Sequence, residues 1–329
     1  MRENNIKILK RYIKSLVKNI GFNNVFNKPS EIDVIYSGGA LNGGYGFGIS
    51  LFLQELEREK KIKINKISGC SIGGFIGFVH LMEQYERNEE IEIEIEYIFE
   101  KIKKCFKNKF NIVVFKKCIK KVVNSYFNFL LKKDNTLEDI LNIVNDRLFI
   151  TYYDIEQGEK IIKNKYKSKK EIIETLIKTS FLPFITDGNL CYKNKYIDGM
   201  TPYIFKYNNQ SNNKCLFVEL LTREKMWNSI FSNKEKNIHY RIITGVVDIN
   251  RFLTEGSSNM CSWVNEWKIH NYLIKKIIEI IIYVFINLMI FLSSIEIKRE
   301  INKIKSSKVC KTLISMVMDL LNDIVCKVV

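Results

Sequence analysis

Twice in succession, a short apolar segment runs straight into a glycine-rich turn and then into a helical pattern. Residues 32–36 read as a buried strand, Ser37-Gly38-Gly39-Ala40-Leu41-Asn42-Gly43-Gly44 as a turn, and residues 45–60 as a helix. Residues 62–67 read as a second strand, followed by Gly69-Cys70-Ser71-Ile72-Gly73-Gly74 and a helix to about residue 85. Parallel strands need a crossover, usually a helix, so two such units in a row predict an α/β fold on a parallel sheet.

At 329 residues the chain is long enough to bury a substantial core. With 46% hydrophobic and 27% charged residues it belongs among folded chains. The net charge of +16 favours an anionic partner, nucleic acid or a lipid surface. Ala40 is the only alanine and there are three prolines, a skew that fits an AT-rich coding sequence and accounts for part of the lysine excess. No nucleic-acid module and no Cys/His finger spacing accompany the charge, so no nucleic-acid partner is expected. Eight cysteines without a C-x-x-C pair, and only three histidines, give no zinc pattern; no metal or cofactor is expected. Residues 1–19 are basic and amphipathic without the apolar centre of a secretory leader, which points to reduced thiols and a cytoplasmic protein.

Three regions follow: a basic helix and linker over 1–30, the α/β core over 31–222, and a mostly helical region over 223–329. In the first, Ile6, Leu9, Ile13, Leu16, Val17 and Ile20 share one helical face opposite Lys7, Lys10, Arg11, Lys14 and Lys18. Such a face packs on its own domain more often than it lies on anionic lipid. The run Ile91-Glu92-Ile93-Glu94-Ile95-Glu96 has period two in helix-rich surroundings and reads equally as a strand or a solvated helix. Ser168 and Glu171 are spaced as a capping box opening a helix that must end before Pro183. Residues 190–192 and 195–197, joined by Lys193-Asn194, read as a hairpin delivering Asp198-Gly199, and residues 215–221 as a buried strand. Within residues 277–295, 15 of 19 are apolar, with Lys275, Lys276, Lys298 and Arg299 at the flanks. That reaches the length of a single membrane anchor. Glu279 and Asn287 inside it favour a buried or interfacial helix.

Gly69-Cys70-Ser71-Ile72-Gly73 fits G-x-S-x-G between a strand and a helix, the context in which a tight turn holds a serine proud of the backbone. Gly38-Gly39-Ala40 offers unencumbered amides at a helix start, suited to an anion or an oxyanion. It satisfies neither G-x-G-x-x-G nor a P-loop, which favours the oxyanion. For a base, His80 follows Ser71 on the same helix and should point away, while His239 and His270 have no acidic residue at a telling spacing. A carboxylate acting directly on Ser71 is simpler, and Asp198, at a strand end before Gly199, is the candidate; Asp187-Gly188 reads as a surface turn. A Ser-His-Asp triad using His239 or His270 stays open as an alternative.

Together these motifs resemble the patatin-like phospholipase family over residues 31–222: the loop 37–45, Gly69-Cys70-Ser71-Ile72-Gly73, the helix end Thr179-Ser180-Phe181-Leu182-Pro183-Phe184, and Tyr196-Ile197-Asp198-Gly199. The resemblance implies helices sandwiching a central parallel sheet, with helical extensions at both ends. It also implies calcium-independent hydrolysis of phospholipid or other acyl-lipid esters by a Ser71–Asp198 dyad through an acyl-enzyme. The amides of Gly38, Gly39, Ala40 and Ile72 would form the oxyanion hole, supported by Gly43, Gly69, Gly73 and Gly199. An anionic membrane surface would be the partner of a peripheral enzyme. Three positions depart from the family pattern: Ala40 for a glycine, Asn42 for Arg or Lys, and Met200 for Gly or Ala. They leave open a catalytically weak or inactive lipid-binding protein on the same fold.

Overall fold

The computed structural model describes residues 2–20, 30–109, 112–205, 214–221 and 238–294. The chain forms two compact units, Met1–Glu266 and Trp267–Val329.

The first unit is built on seven strands: β1 (Ser30–Tyr36), β2 (Ile62–Gly69), β3 (Leu148–Asp154), β4 (Glu159–Lys163), β5 (Tyr196–Asp198), β6 (Lys214–Val218) and β7 (Cys261–Trp263). They lie in the order β4-β3-β2-β1-β6-β7, with β5 paired to β3. The four central strands β3, β2, β1 and β6 are parallel. The expectation of a parallel sheet is corrected to a mixed one, because β4, β5 and β7 run antiparallel to their neighbours. For β4 the reason is local. Asp154 Oδ1 accepts from the amides of Glu156 (3.1 Å) and Gln157 (3.2 Å), and Gly158 takes φ 68°, closing a turn too short for a crossover.

Eight helices belong to this unit among the described residues: α1 (Arg2–Asn19), α2 (Gly43–Arg58), α3 (Ile72–Tyr85), α4 (Glu89–Lys109), α5 (Val113–Leu131), α6 (Leu137–Val144), α7 (Lys169–Thr179) and α8 (Ile238–Glu255). The apolar face of α1 lies in the core through Leu9, Ile13 and Val17. Lys61 Nζ caps its end by donating to the carbonyls of Val17 (2.5 Å) and Ile20 (2.9 Å). The period-two run is helical, with Asn88 Oδ1 accepting from the amides of Glu90 (3.0 Å) and Ile91 (3.1 Å) at its start. Ile91, Ile95, Ile98 and Ile102 form its buried stripe, and the flanking Glu92 and Glu96 are buried beside it, so the helix is not a solvated one. Glu92 pairs with Lys10 and Arg87, and Glu96 with His239. Glu83, facing Glu92, is held well above the usual carboxylate range by burial and by that neighbour.

Half of the expected capping box forms at α7: Ser168 Oγ accepts from Glu171 N (3.2 Å), but the Glu171 carboxylate accepts from Lys167 N (2.6 Å). The hairpin before Asp198 shrinks to one bridge, Tyr192 with Tyr196, because Lys193 (φ 53°) and Asn194 (φ 57°) turn the chain at once and β5 pairs with β3 instead.

In the second unit the described helix is α9 (Ile269–Ser294). Ile269, Leu273, Ile277, Ile280, Val284 and Leu288 are exposed and recur every three or four residues, one apolar stripe along it. Of the two expectations there, a buried or an interfacial helix, that exposure at Ile277, Ile280, Val284 and Leu288 corrects the first and leaves the second. Among the described residues no helix is long and apolar enough to cross a membrane. Ile295 and several side chains of the run 277–295 lie outside them, as do Lys298 and Arg299.

Candidate active site

β2 ends at Gly69 and α3 begins at Ile72, so only Cys70 and Ser71 make the turn. Ser71 adopts φ 54°, ψ −132°, a conformation that side chains rarely hold unless the surroundings enforce it. The surroundings do. The Ser71 amide donates to Thr179 Oγ1 (2.8 Å), and that hydroxyl donates to the Thr151 carbonyl (2.6 Å), tying the turn to α7 and β3. Gly73 N and Gly74 N donate to the Cys70 carbonyl at 2.8 and 3.3 Å. A Cβ at Gly73 would stand 2.6 Å from the carbonyl oxygens of both Tyr36 and Ser37, so only glycine lets the two glycine-rich turns lie against each other. With Ser71 and Gly73 amides engaged, the amide of Ile72 is the first of α3 without a partner inside its own helix.

The loop after β1 lies directly over this turn. Built at Gly38, a Cβ would meet Cys70 Sγ and the Met200 carbonyl at 3.4 Å and Ser71 Cβ at 3.6 Å, so the three sequence motifs converge on one point. The Gly38 amide lies at the buried Cys70 thiol, whose pKa is raised chiefly by burial. Ala40, exposed and at φ 45°, opens a short 3-10 turn, Ala40–Asn42, that leads into α2 at Gly43. Being first in that turn, its amide precedes every intrahelical acceptor. Asn42 is buried, and its Nδ2 donates to the Leu220 carbonyl (2.8 Å). The Leu220 amide in turn donates to Ser37 Oγ (2.7 Å).

Asp198 arrives from a different direction. One edge of β3 carries β4 from Ile150 to Asp154, so β2 and β5 share the other edge: β2 along Leu148–Ile150, β5 along Tyr152–Asp154. The short strand β5 therefore continues where β2 stops, and brings Asp198 to the turn that holds Ser71. Its amide donates to the Phe181 carbonyl (2.9 Å), and Gly199 follows packed on Thr151. Asp198 is 1% exposed. Oδ1 accepts from Met200 N (2.7 Å), while Oδ2 has no hydrogen-bond partner among the described residues. Burial pushes the carboxyl up to about 7, opposed by the Ser71 hydroxyl and the Met200 amide. The Ser71 hydroxyl lies near enough to the carboxylate to oppose that rise, while Oδ2 stays without a hydrogen-bond partner among the described residues.

Comparison with protein-family models and with curated proteins returns no match.

Of the other candidates for a base, His80, His239 and Asp187 are engaged by partners of their own. His80 Nδ1 faces Ser50 Oγ (2.8 Å) and its Nε2 faces Glu57 Oε2 (3.3 Å), so both ring nitrogens are engaged in the core. His239, with no acidic residue at a telling spacing in the sequence, meets one from a distant helix: Glu96 Oε1 stands 2.5 Å from Nδ1. His270 belongs to the second unit. Asp187 accepts from Lys116 Nζ (2.5 Å) and Asn189 N (3.1 Å); burial raises its pKa, but these donors outweigh it and hold the carboxyl below its usual range. No group of three or more His, Cys, Asp or Glu side chains among the described residues is placed to hold a metal ion. The sequence did not single out Thr179, whose hydroxyl accepts from the Ser71 amide, or Arg241, whose Nη1 donates to the Leu41 carbonyl of the loop (2.6 Å). Thr179 lies within a recognised motif, whereas Arg241 carries no local signal.

Proposed function

We propose that this chain is a patatin-like serine acyl hydrolase acting on lipid esters through a Ser71–Asp198 dyad. The observation that carries the reading is the pairing of an enforced φ 54° serine with a buried carboxyl at about 7. Such a carboxyl is about half ionised at neutral pH and is a strong enough base for a serine proton. Ser71 Oγ attacks the ester carbonyl as its proton passes to Asp198 Oδ2. The oxyanion that forms is held by the amides of Ile72, Gly39 and Ala40, with Gly38 framing the loop at Cys70. Collapse breaks the acyl–oxygen bond, and the departing alcohol takes the proton from Asp198. Water then attacks the acyl-enzyme as Asp198 accepts its proton, and collapse breaks the bond to Ser71 Oγ, which takes that proton back as the fatty acid leaves.

Lipid as the substrate class draws support from the exposed apolar stripe of α9 and the basic balance of the chain, which suit an anionic bilayer surface. The test is calcium-free incubation with mixed phospholipids, neutral lipids and a short p-nitrophenyl ester, alongside a fluorophosphonate probe. Wild-type protein hydrolyses and is labelled, and Ser71→Ala does neither. Labelling that persists in Ser71→Ala places the nucleophile elsewhere. Full-length protein should also sediment with anionic vesicles better than with neutral ones, and salt should release it.

A further inference from the structure

α8 is seated on α2 where neither helix has a side chain: a Cβ at Gly48 would collide with the Ile242 carbonyl, and one at Gly245 with the Tyr45 carbonyl. That close crossing carries Arg241 beneath the loop 37–42. Arg241 is 1% exposed and heads the large side chains that are fully buried. A guanidinium so placed has to be met by acceptors. Its Nη1 donates to the Leu41 carbonyl (2.6 Å) and to Asn42 Oδ1 (3.3 Å), and the guanidinium lies 5.6 Å from the centre of the Tyr45 ring.

The bond to Leu41 reaches further than the residue it touches. The Leu41 carbonyl shares its peptide group with the Asn42 amide, which donates to the Gly39 carbonyl at 2.8 Å. The Gly39 carbonyl shares its peptide group with the Ala40 amide. Hydrogen bonds in series polarise one another, so a full positive charge on the first carbonyl draws electron density along both peptide groups and leaves the Ala40 N–H a stronger donor. From this chain of contacts we infer that Arg241 is the positioning residue of the oxyanion loop, fixing its shape and charging the Ala40 amide for the developing oxyanion. Its catalytic meaning rests on the acyl-hydrolase reading; the relay to Ala40 does not.

Ala40 is the only alanine in the chain, so 15N-alanine labelling gives a single amide resonance that reports the relay directly. Arg241→Met should move the Ala40 amide proton upfield. It should also lower kcat by about 30-fold, somewhat less than losing an oxyanion donor outright, with KM changed less than about threefold. Arg241→Lys keeps a charge within reach and should recover most of both effects. An unmoved Ala40 proton in folded Arg241→Met protein overturns the inference. So does a kcat loss that Arg241→Lys shares in full, since that is what a purely structural role gives. If Arg241→Met does not fold, Arg241→Gln against Arg241→Lys carries the same comparison: Gln must move the Ala40 proton further than Lys, and equal shifts overturn the relay. Wild-type protein that is never labelled at Ser71 defeats the acyl-hydrolase reading alone, and the Ala40 shift then decides the relay by itself.

Discussion

Around Ser71 the turn 69–74 closes mostly on itself: Gly73 and Gly74 bond back to Cys70, and Thr179 supplies the remote acceptor for the Ser71 amide. The loop 37–42, by contrast, is held by partners from the far end of the unit, with Leu220 gripping Ser37 and Asn42 and Arg241 gripping Leu41 and Asn42. A turn that must hold one strained residue can be written into a pentapeptide. A loop that must aim bare amides at a point has few side chains of its own to do so, and borrows them.

The largest test of this contrast lies where both turns meet the acid. Asp198→Asn should lower kcat by about 10³-fold or more, because it removes the proposed base while leaving both turns in place. Asp187→Asn, on a surface turn held by Lys116, should stay within about twofold; equal losses in the two variants, measured with the short ester, would mean that the wrong Asp-Gly turn was assigned. Next comes pH. With the carboxyl at about 7, kcat/KM should fall about tenfold per unit below that value and level off above it. Stability runs the other way. A carboxyl raised from 3.8 to about 7 on folding lends stability in acid that is lost as pH rises through about 7. Asp198→Asn should therefore melt higher than wild type at pH 8, by an amount that shrinks toward pH 5. A constant gap in melting temperature across that range would contradict it.

Thr179→Val sharpens the comparison, since it removes the side chain that accepts from the Ser71 amide. We expect about a tenfold loss in kcat and about 1–2 kcal/mol in stability, from the orphaned Ser71 amide. If the two turns are braced independently, Thr179→Val and Arg241→Met should be additive in the logarithm of kcat; a double variant no worse than either single one would show a shared brace. The smallest effect belongs to Ala40→Gly. At φ 45° glycine relieves strain but gains freedom in the unfolded chain, so stability should change by less than about 1 kcal/mol in chemical denaturation.

What the sequence made legible follows the same division. β1, β2, α2 and α3 were readable because each couples an apolar strand to a glycine turn and a helix, and Ser71 and Asp198 carry short motifs. The strand character of 91–96 remained undecided because Ile and Glu alternate there, and only the packing of α4, with Glu92 and Glu96 matched by Lys10, Arg87 and His239, resolves it as a helix. The antiparallel strands β4 and β7 left little trace, being short and set by pairing with a strand already in place. Arg241 was illegible for a plainer reason. Nothing within its own helix marks it, and its meaning depends on two glycines, Gly48 and Gly245, that are far apart in sequence and adjacent in space. Ala40 and Met200 both occupy positive φ, at 45° and 55°, where glycine would be the unstrained choice.

The division of one β3 edge between β2 and β5 makes that strand a ruler. Leu148–Ile150 is measured off for the strand that leads to Ser71, and Tyr152–Asp154 for the one that ends in Asp198. The gap between serine and carboxylate is therefore set by residue count along a third strand that contributes no reacting atom. Two residues inserted at Thr151 would preserve the alternation of faces and yet move the two apart by about 6.6 Å, beyond any proton transfer.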